Sequence, residues 1–159
     1  MTPLFKKLNY KGQEPIIILN APESFAAELQ QMEPLTPILT NEAALIPASF
    51  IMAFVTRQTE VDHFARLLTP LIQGDGIFWF CYPKGSSKKY TCDFNRDTGW
   101  DVVAQAGLEP VRMVAIDADW SALRFRKVQH IKTMTRSFAR SEAGKQKVAG
   151  KNSPETGRK

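Results

Sequence analysis

Cations and hydroxyl groups cluster near the middle of the chain, in a pattern typical of anion binding. Arg57 follows one apolar run, and the segment 84–89 (Lys-Gly-Ser-Ser-Lys-Lys) follows another. Guanidinium and ammonium groups neutralise an anion, while serine hydroxyls and loop amides donate hydrogen bonds to it. The same composition is also typical of a solvated, turn-rich loop that holds no ligand. The sequence permits both interpretations.

A second polar cluster comes directly after this loop. It contains Asp93, Asn95, Arg96 and Asp97. Paired carboxylates act in general acid–base catalysis only where their pKa values are pushed apart in a cleft. Asp97 or Thr98 fits the N-cap of a helix equally well, and Asp93 fits an ion pair with Arg96 or a nearby lysine. We predict the structural role.

A third group lies around a tight turn late in the chain. Asp117 and Asp119 are residue types that form such turns, and Trp120 fits either the core or a partner interface. Arg124 or Arg126 on the sheet surface would contact an anion. We predict that the aspartates serve the turn and that Trp120 serves the core.

Short apolar runs predict the strands that position these groups. Ile16–Leu19 and residues 50–55 and 77–82 are continuous runs, typical of strands covered on both faces in a parallel sheet. Residues 36–40 predict a short edge strand, where a proline is tolerated.

Helical spacing predicts three helices between the strands. Pro22 begins the first, and residues 98–106 form the last. The clearest helix starts at Thr59, whose hydroxyl fits a cap, and carries one apolar face as far as Ile72.

The order of these elements predicts the fold class. Strands alternate with helices until residues 111–116 and Trp120–Lys127, which form an antiparallel hairpin. The chain is therefore predicted to be an α/β domain in three layers, with a mainly parallel sheet of about six strands that ends in that hairpin.

Ligands of open α/β sheets bind beyond the carboxyl ends of the strands, where the strand order reverses. Eight residues follow the first, third and fourth strands at that edge. These candidate ligand-binding residues are Asn20, Glu23, Thr56, Arg57, Tyr82, Lys84, Ser86 and Ser87.

The net charge of +5 belongs to one end of the chain. Residues 132–159 contain eight basic and two acidic residues and so carry +6, which leaves residues 1–131 near neutral. We predict a folded domain over 1–131 and a basic, disordered tail over 132–159. The tail would bind nucleic acid electrostatically, or act only as a solubilising extension.

Several classes of protein and site are excluded by composition. The longest apolar runs are far shorter than a membrane span, and the start of the chain does not resemble a signal peptide, which predicts a cytoplasmic location. Cys81 and Cys92 fit no zinc or redox motif, and His63 and His130 are isolated. We predict no metal site, and no motif requires a cofactor.

Six segments of the chain resemble a bacterial family known as domain of unknown function 3052. They are residues 16–23, 54–56, 79–84, 93–96, 115–117 and 120–125, and the resemblance covers roughly residues 5–127. The most specific of them are Tyr-Pro-Lys at 82–84 and Trp-Ser-Ala-Leu-Arg-Phe at 120–125. This resemblance implies a shared fold but no established activity.

The architecture is also similar to the later half of Rossmann-like methyltransferases. That resemblance implies a sheet order of 2-1-3-4-6-5 with the sixth strand antiparallel, and S-adenosylmethionine as the cofactor. The chain departs from it in the turn after the first strand, at residues 19–23, which contains no glycine. Close approach of the backbone to a cofactor requires glycine there. The acidic residue expected after the second strand is represented only by Glu42.

Three functions follow from these observations. The leading one is a non-catalytic or degenerate Rossmann-like domain that binds a small anion or a protein partner, with no cofactor specified. The second is a nucleic-acid-associated accessory protein that acts through residues 132–159. The third is a divergent S-adenosylmethionine-dependent methyltransferase.

Overall fold

The computed structural model describes residues 1–95 and 97–131. Its strands are β1 (Ile16–Leu19), β2 (Ile38–Leu39), β3 (Ala48–Phe54), β4 (Ile72–Pro83), β5 (Leu108–Ala115) and β6 (Trp120–Lys127). Its α-helices are α1 (Pro3–Lys7), α2 (Ala26–Met32), α3 (Gln58–Leu68) and α4 (Asp101–Gln105). The predicted tail, 132–159, lies outside the described residues.

The sheet has the order β2-β1-β3-β4-β6-β5, which confirms the order implied by the methyltransferase resemblance. Strand β1 pairs in parallel with β2 and β3, and β3 pairs in parallel with β4. Strand β6 pairs antiparallel with both β4 and β5. The mainly parallel sheet and its final hairpin are therefore confirmed.

Helices cover both faces of the sheet. Along β4 the side chains alternate, so that Phe78 and Phe80 face α3 while Trp79 and Cys81 face α1 and α2. The indole Nε1 of Trp79, fully buried, donates to the carbonyl oxygen of Leu8 at 3.0 Å. The continuous apolarity of the central strands thus follows from burial on both sides.

The clearest predicted helix is correct in position but wrong at both ends. Helix α3 starts at Gln58, with Arg57 rather than Thr59 at the N-cap. It ends at Leu68, and a 3₁₀ turn leads to Ile72, which pairs with Ala48 as the first residue of β4. Ile72, which helical spacing assigns to the helix, therefore belongs to the sheet because it pairs with a neighbouring strand.

The other predicted helices are also shorter than expected. A 3₁₀ turn at Glu23–Phe25 comes before α2. Helix α4 covers only Asp101–Gln105, and neither Asp97 nor Thr98 caps it. Instead, the side-chain oxygen of Asn95 accepts from the N–H groups of those two residues, at 2.8 and 3.1 Å.

No helix within residues 1–95 and 97–131 is both long and apolar enough to cross a membrane.

Candidate functional site

A cavity of about 480 Å³ opens at the carboxyl edge of the sheet, beside the end of β3. It is lined by Thr56, Arg57, Lys89, Tyr90, Thr91, Cys92 and Asp93. Two cations, one carboxylate, two threonine hydroxyls and an aromatic ring therefore share one small space. We call it the basic cavity.

Glu60 fixes the turn that carries Arg57 into the basic cavity. One oxygen of its carboxylate accepts from the backbone N–H groups of Thr56 and Arg57, at 2.8 and 3.1 Å, and from the Thr56 hydroxyl at 3.2 Å. These bonds satisfy amide groups that a helix start would otherwise leave unpaired. The backbone at Arg57 is consequently held in a defined position next to the end of β3.

Asp93 ties the opposite wall of the basic cavity to the same helix. Its Oδ1 accepts from the backbone N–H of Gln58 at 2.7 Å, in the first turn of α3. The start of α3 therefore already holds two carboxylates, those of Glu60 and Asp93, and does not itself attract an anion. Any attraction comes from the side chains of Arg57 and Lys89. Asp93 therefore has a structural contact, and its partner is a helix amide.

The loop segment at Lys89 and Tyr90 is held from the other side, by the hairpin turn. The Ser87 hydroxyl accepts from the N–H groups of both residues, at 3.2 and 3.1 Å, and donates to the carboxylate of Asp119 at 2.9 Å. The Tyr90 ring packs on Trp120 with ring centroids 5.0 Å apart. Two elements distant in sequence thus fix this wall.

A second cavity, of about 240 Å³, shares the wall formed by Tyr90, Thr91 and Cys92. Its remaining lining residues are Tyr82, Pro83, Lys84, Gly85, Ser87, Phe94 and Asn95. Burial raises the pKa of the Cys92 thiol, which donates to the carbonyl oxygen of Phe94 at 3.0 Å. The thiol therefore stays protonated at neutral pH and is not poised as a nucleophile.

The structure separates the eight predicted ligand-binding residues into three groups. Thr56 and Arg57 line the basic cavity, and Tyr82, Lys84 and Ser87 line the second cavity. Asn20, Glu23 and Ser86 line neither of these two cavities. The shared wall at 90–92 was missed by sequence reasoning, since no local signal marks it and only folding of the loop brings it to the edge.

Asn20 has a structural role at the end of β1. It lies in the left-handed region, with φ of 61°, a conformation that usually requires glycine. Its side-chain amide donates to the carbonyl oxygen of Phe54 at 2.9 Å and to Glu60 at 3.1 Å. Asn20 thus links the end of β1 to the end of β3.

Among the residues that the sequence singled out in the second polar cluster and around the late turn, Asp93 lines the basic cavity, whereas Asp117, Trp120 and Arg124 line neither cavity. The carboxylate of Asp117 accepts from the N–H groups of Asp119 and Trp120, both at 2.8 Å, which confirms its role in the turn. Trp120 is buried against Phe54, as predicted for a core residue. Arg124 lies on β6, away from the carboxyl edge, and Arg96 lies outside the described residues.

The turn after β1 does not fit a nucleoside cofactor in the manner that a glycine-rich turn provides. Every residue from Leu19 to Glu23 carries a Cβ, and Pro22 has no N–H to donate. Glu42, after β2, is in contact with the imidazole Nε2 of His63 at 2.7 Å. Within 1–95 and 97–131, no cluster of three or more His, Cys, Asp or Glu residues could hold a metal ion.

Comparison with solved structures places this sheet among known folds. The chain is similar to an N-methyltransferase, NodS from Bradyrhizobium japonicum WM9, at 11% identity and a TM-score of 0.52, over 78% of this chain and 92% of that one. A methyltransferase dependent on S-adenosylmethionine (SAM), from Aquifex aeolicus, matches at 11% identity and a TM-score of 0.52, over 78% and 89%. The fold is that of SAM-dependent methyltransferases.

A third structure of this fold is a LepI variant, described in complex with SAH and a substrate analogue. It matches at 10% identity and a TM-score of 0.53, over 79% of this chain and 47% of that one. No family model and no curated protein matches the chain. At these identities the structural matches establish the fold alone.

Proposed function

We propose that this protein is a divergent, SAM-binding protein of the methyltransferase fold, in which the charged end of the ligand occupies the basic cavity. The observation that carries the proposal is the position of that cavity: it opens at the carboxyl edge of a sheet with the methyltransferase strand order. This is the edge at which open α/β sheets bind ligands.

The groups in the basic cavity match the amino-acid end of SAM. Arg57 and Lys89 would hold its carboxylate, since a guanidinium and an ammonium both donate charge-assisted hydrogen bonds. Asp93 would hold the ammonium group through the carboxylate oxygen that does not accept from Gln58. A volume of about 480 Å³ lies within the usual range for small-molecule sites, about 300–1,000 Å³.

The site would lie one strand further along the edge than the turn after β1. That turn offers no glycine, whereas the turn after β3 offers Thr56 and Arg57 on a backbone fixed by Glu60. When bound, SAM supplies an electrophilic methyl group. The protein's own groups bind and orient the ligand.

Isothermal titration calorimetry on the full chain with SAM and SAH tests the proposal. We expect both to bind, and Arg57→Gln to weaken binding at least about tenfold, because a charge-assisted hydrogen bond is lost. Arg66→Gln is the matched control, since Arg66 is an exposed cation on the same helix outside the cavity. Absence of binding, or equal binding by Arg57→Gln, would contradict the proposal.

The second candidate is a binding protein without catalysis, which takes a small anion in the same basic cavity. The glycine-free turn after β1 favours it, because that turn is unsuited to the usual cofactor geometry. Titration with citrate and with a nucleoside triphosphate distinguishes the two functions. Arg57-dependent binding of these anions without binding of SAM would establish the second candidate.

We also propose that the chain belongs to the family called domain of unknown function 3052 and works in the cytoplasm. Membership rests on the segments named above, in particular residues 82–84 and 120–125. These two segments are brought together in the structure, since Pro83 pairs with Trp120 and Tyr82 with Ser121.

A further inference from the structure

Two arginines face one another across the last pair of strands. Arg112 on β5 and Arg124 on β6 are direct partners in the antiparallel register, so their side chains leave the same face of the sheet. Opposed residues of this kind have Cβ atoms about 4.5–5.5 Å apart, and like charges there destabilise the sheet. Arg126, two residues along β6, adds a third guanidinium to that face.

The nearby carboxylate of Asp75 offsets the charge of Arg124 only in part, since the pKa of Arg124 is lowered on balance. Asp75, near the start of β4, is bound by Arg126 through both Nε, at 2.8 Å, and Nη2. Glu109 lies opposite Arg126 and is fully buried. Neither Arg112 nor Arg124 forms an ion pair with any acidic residue in the described part of the chain.

Arg124 is also incompletely hydrogen-bonded. The Nε atom of Arg124 is buried and has no hydrogen-bond partner within the described residues. Other atoms of the same side chain are exposed to solvent. Burial and the neighbouring charges of Arg126 and Arg112 lower the pKa of Arg124. A buried donor without an acceptor and a cation beside like charges both cost free energy. An anion bound to the exposed part of the two guanidinium groups would relieve the repulsion between them.

We propose that Arg112 and Arg124 form a binding site for a phosphate group on the exposed side of the β5–β6 hairpin. Guanidinium groups match phosphate because their planar array of N–H groups donates to two oxygens at once. Two adjacent cations, neither of them in an ion pair within the described residues, match the charge of a phosphate better than that of a single carboxylate. The site lies away from the basic cavity and does not depend on the proposed function.

The phosphate has two possible sources, a free small molecule or the backbone of a nucleic acid. Residues 132–159 carry eight basic and two acidic residues, a net charge of +6 that would add to the attraction of the whole chain for a polynucleotide. Its binding would weaken steeply with salt, because each neutralised phosphate releases counterions.

Binding measurements on the full chain test the site with two probes, inorganic phosphate and a mixed-sequence single-stranded oligonucleotide. We expect Arg112→Gln and Arg124→Gln each to weaken phosphate binding about tenfold. Arg66→Gln is the control and should bind phosphate as the unaltered chain does. Arg57→Gln removes only phosphate bound in the basic cavity, so the loss expected from Arg112→Gln or Arg124→Gln should persist when it is combined with Arg57→Gln. A failure at the basic cavity is thus separated from a failure here.

The two probes also identify the source. Tighter binding of the oligonucleotide, with a salt dependence that Arg112→Gln reduces, would assign the site to nucleic acid. Binding of inorganic phosphate with no gain from the oligonucleotide would assign it to a free phosphate compound. Absence of binding to either probe, or binding unchanged in both arginine variants, would overturn the proposal.

A thermal measurement keeps the test independent of binding affinity. Without phosphate, Arg124→Met should raise the melting temperature, because it removes a like charge and an unpaired buried donor while keeping an unbranched side chain of similar length. Addition of phosphate should raise the melting temperature of the unaltered chain more than that of the variant. A destabilised Arg124→Met that gains as much from phosphate would contradict the proposal.

Discussion

Single side chains at the edges of this sheet are set by their charge partners. Asp75 shows this most directly, because its carboxylate accepts two hydrogen bonds from Arg126, and that contact holds its pKa below the ordinary value for aspartate. The carboxylate of Glu60 likewise accepts hydrogen bonds from the backbone N–H groups of Thr56 and Arg57 and from the side-chain amide of Asn20. Each acid stabilises a position that apolar packing leaves undefined.

The contribution of Asp75 to stability should depend on pH in a defined direction. Because its pKa is lowered by folding, the ion pair stabilises the protein above the unfolded pKa, and this is lost as the pH falls through the lower folded value. We expect Asp75→Asn to lower the free energy of unfolding by under about 1 kcal/mol at pH 7, since the pair is partly exposed.

Urea denaturation of both proteins between about pH 7 and pH 2 checks this expectation. The difference between them should be constant at neutral pH and should shrink below the ordinary aspartate pKa. A difference that grows as the pH falls would show that the ion pair is not its cause.

At the scale of elements, the loop between β4 and α4 supplies most of the residues that line the basic cavity. Gly99 closes this loop against the start of α3, with φ of 90°, and its carbonyl oxygen accepts from the side-chain amide of Gln58 at 2.6 Å. A Cβ at that position would meet the Gln58 side chain and, at 2.8 Å, the Cβ of Phe94. Both backbone conformation and space therefore require glycine.

Gly99→Ala should lower the free energy of unfolding by more than about 2 kcal/mol, the sum of left-handed strain and steric overlap. Gly107→Ala separates these causes, because Gly107 has φ of 86° with nothing within 4 Å, and should cost only about 1–2 kcal/mol. Gly85→Ala has neither feature and should be nearly neutral.

Urea denaturation of the three variants provides the measurement. Equal losses for Gly99→Ala and Gly107→Ala would show that the contact with Phe94 and Gln58 plays no part.

At the scale of the whole molecule, the short helix α1 helps to cover the face of the sheet opposite α3. Phe5 is fully buried and packs on Phe50, with ring centroids 5.8 Å apart, and on Phe25 at 6.0 Å. Lys7 reaches across the sheet to the carbonyl oxygen of Ala115 at 3.1 Å. Residues near the start of the chain thus join β3, the 3₁₀ turn before α2, and β5.

Phe5→Ala should destabilise the protein by about 3–5 kcal/mol, the usual cost of removing a buried phenyl ring. Leu35→Ala is the control, because Leu35 is 45% exposed, and it should change stability by under about 0.5 kcal/mol. Chemical denaturation followed by tryptophan fluorescence measures both. A cost under about 1 kcal/mol for Phe5→Ala would mean that α1 is not part of the cooperative fold.

The sequence by itself determined the elements and their succession. Continuous β-branched and aromatic runs predicted β1, β3 and β4, because strands buried on both faces need no polar alternation. The last two runs predicted the hairpin of β5 and β6. The strand order came from the methyltransferase resemblance, since no local pattern states which strands are neighbours.

Only the tertiary structure decided where the elements end and what the edge of the sheet contains. Helix α3 ends before Ile72 because Ala48 offers that residue a strand partner. The side-chain amide of Asn20 donates to Phe54 and Glu60, while Lys89 and Tyr90 are fixed at the edge by Ser87. Such contacts join residues far apart in sequence, and the pairing of Arg112 with Arg124 is set by register alone.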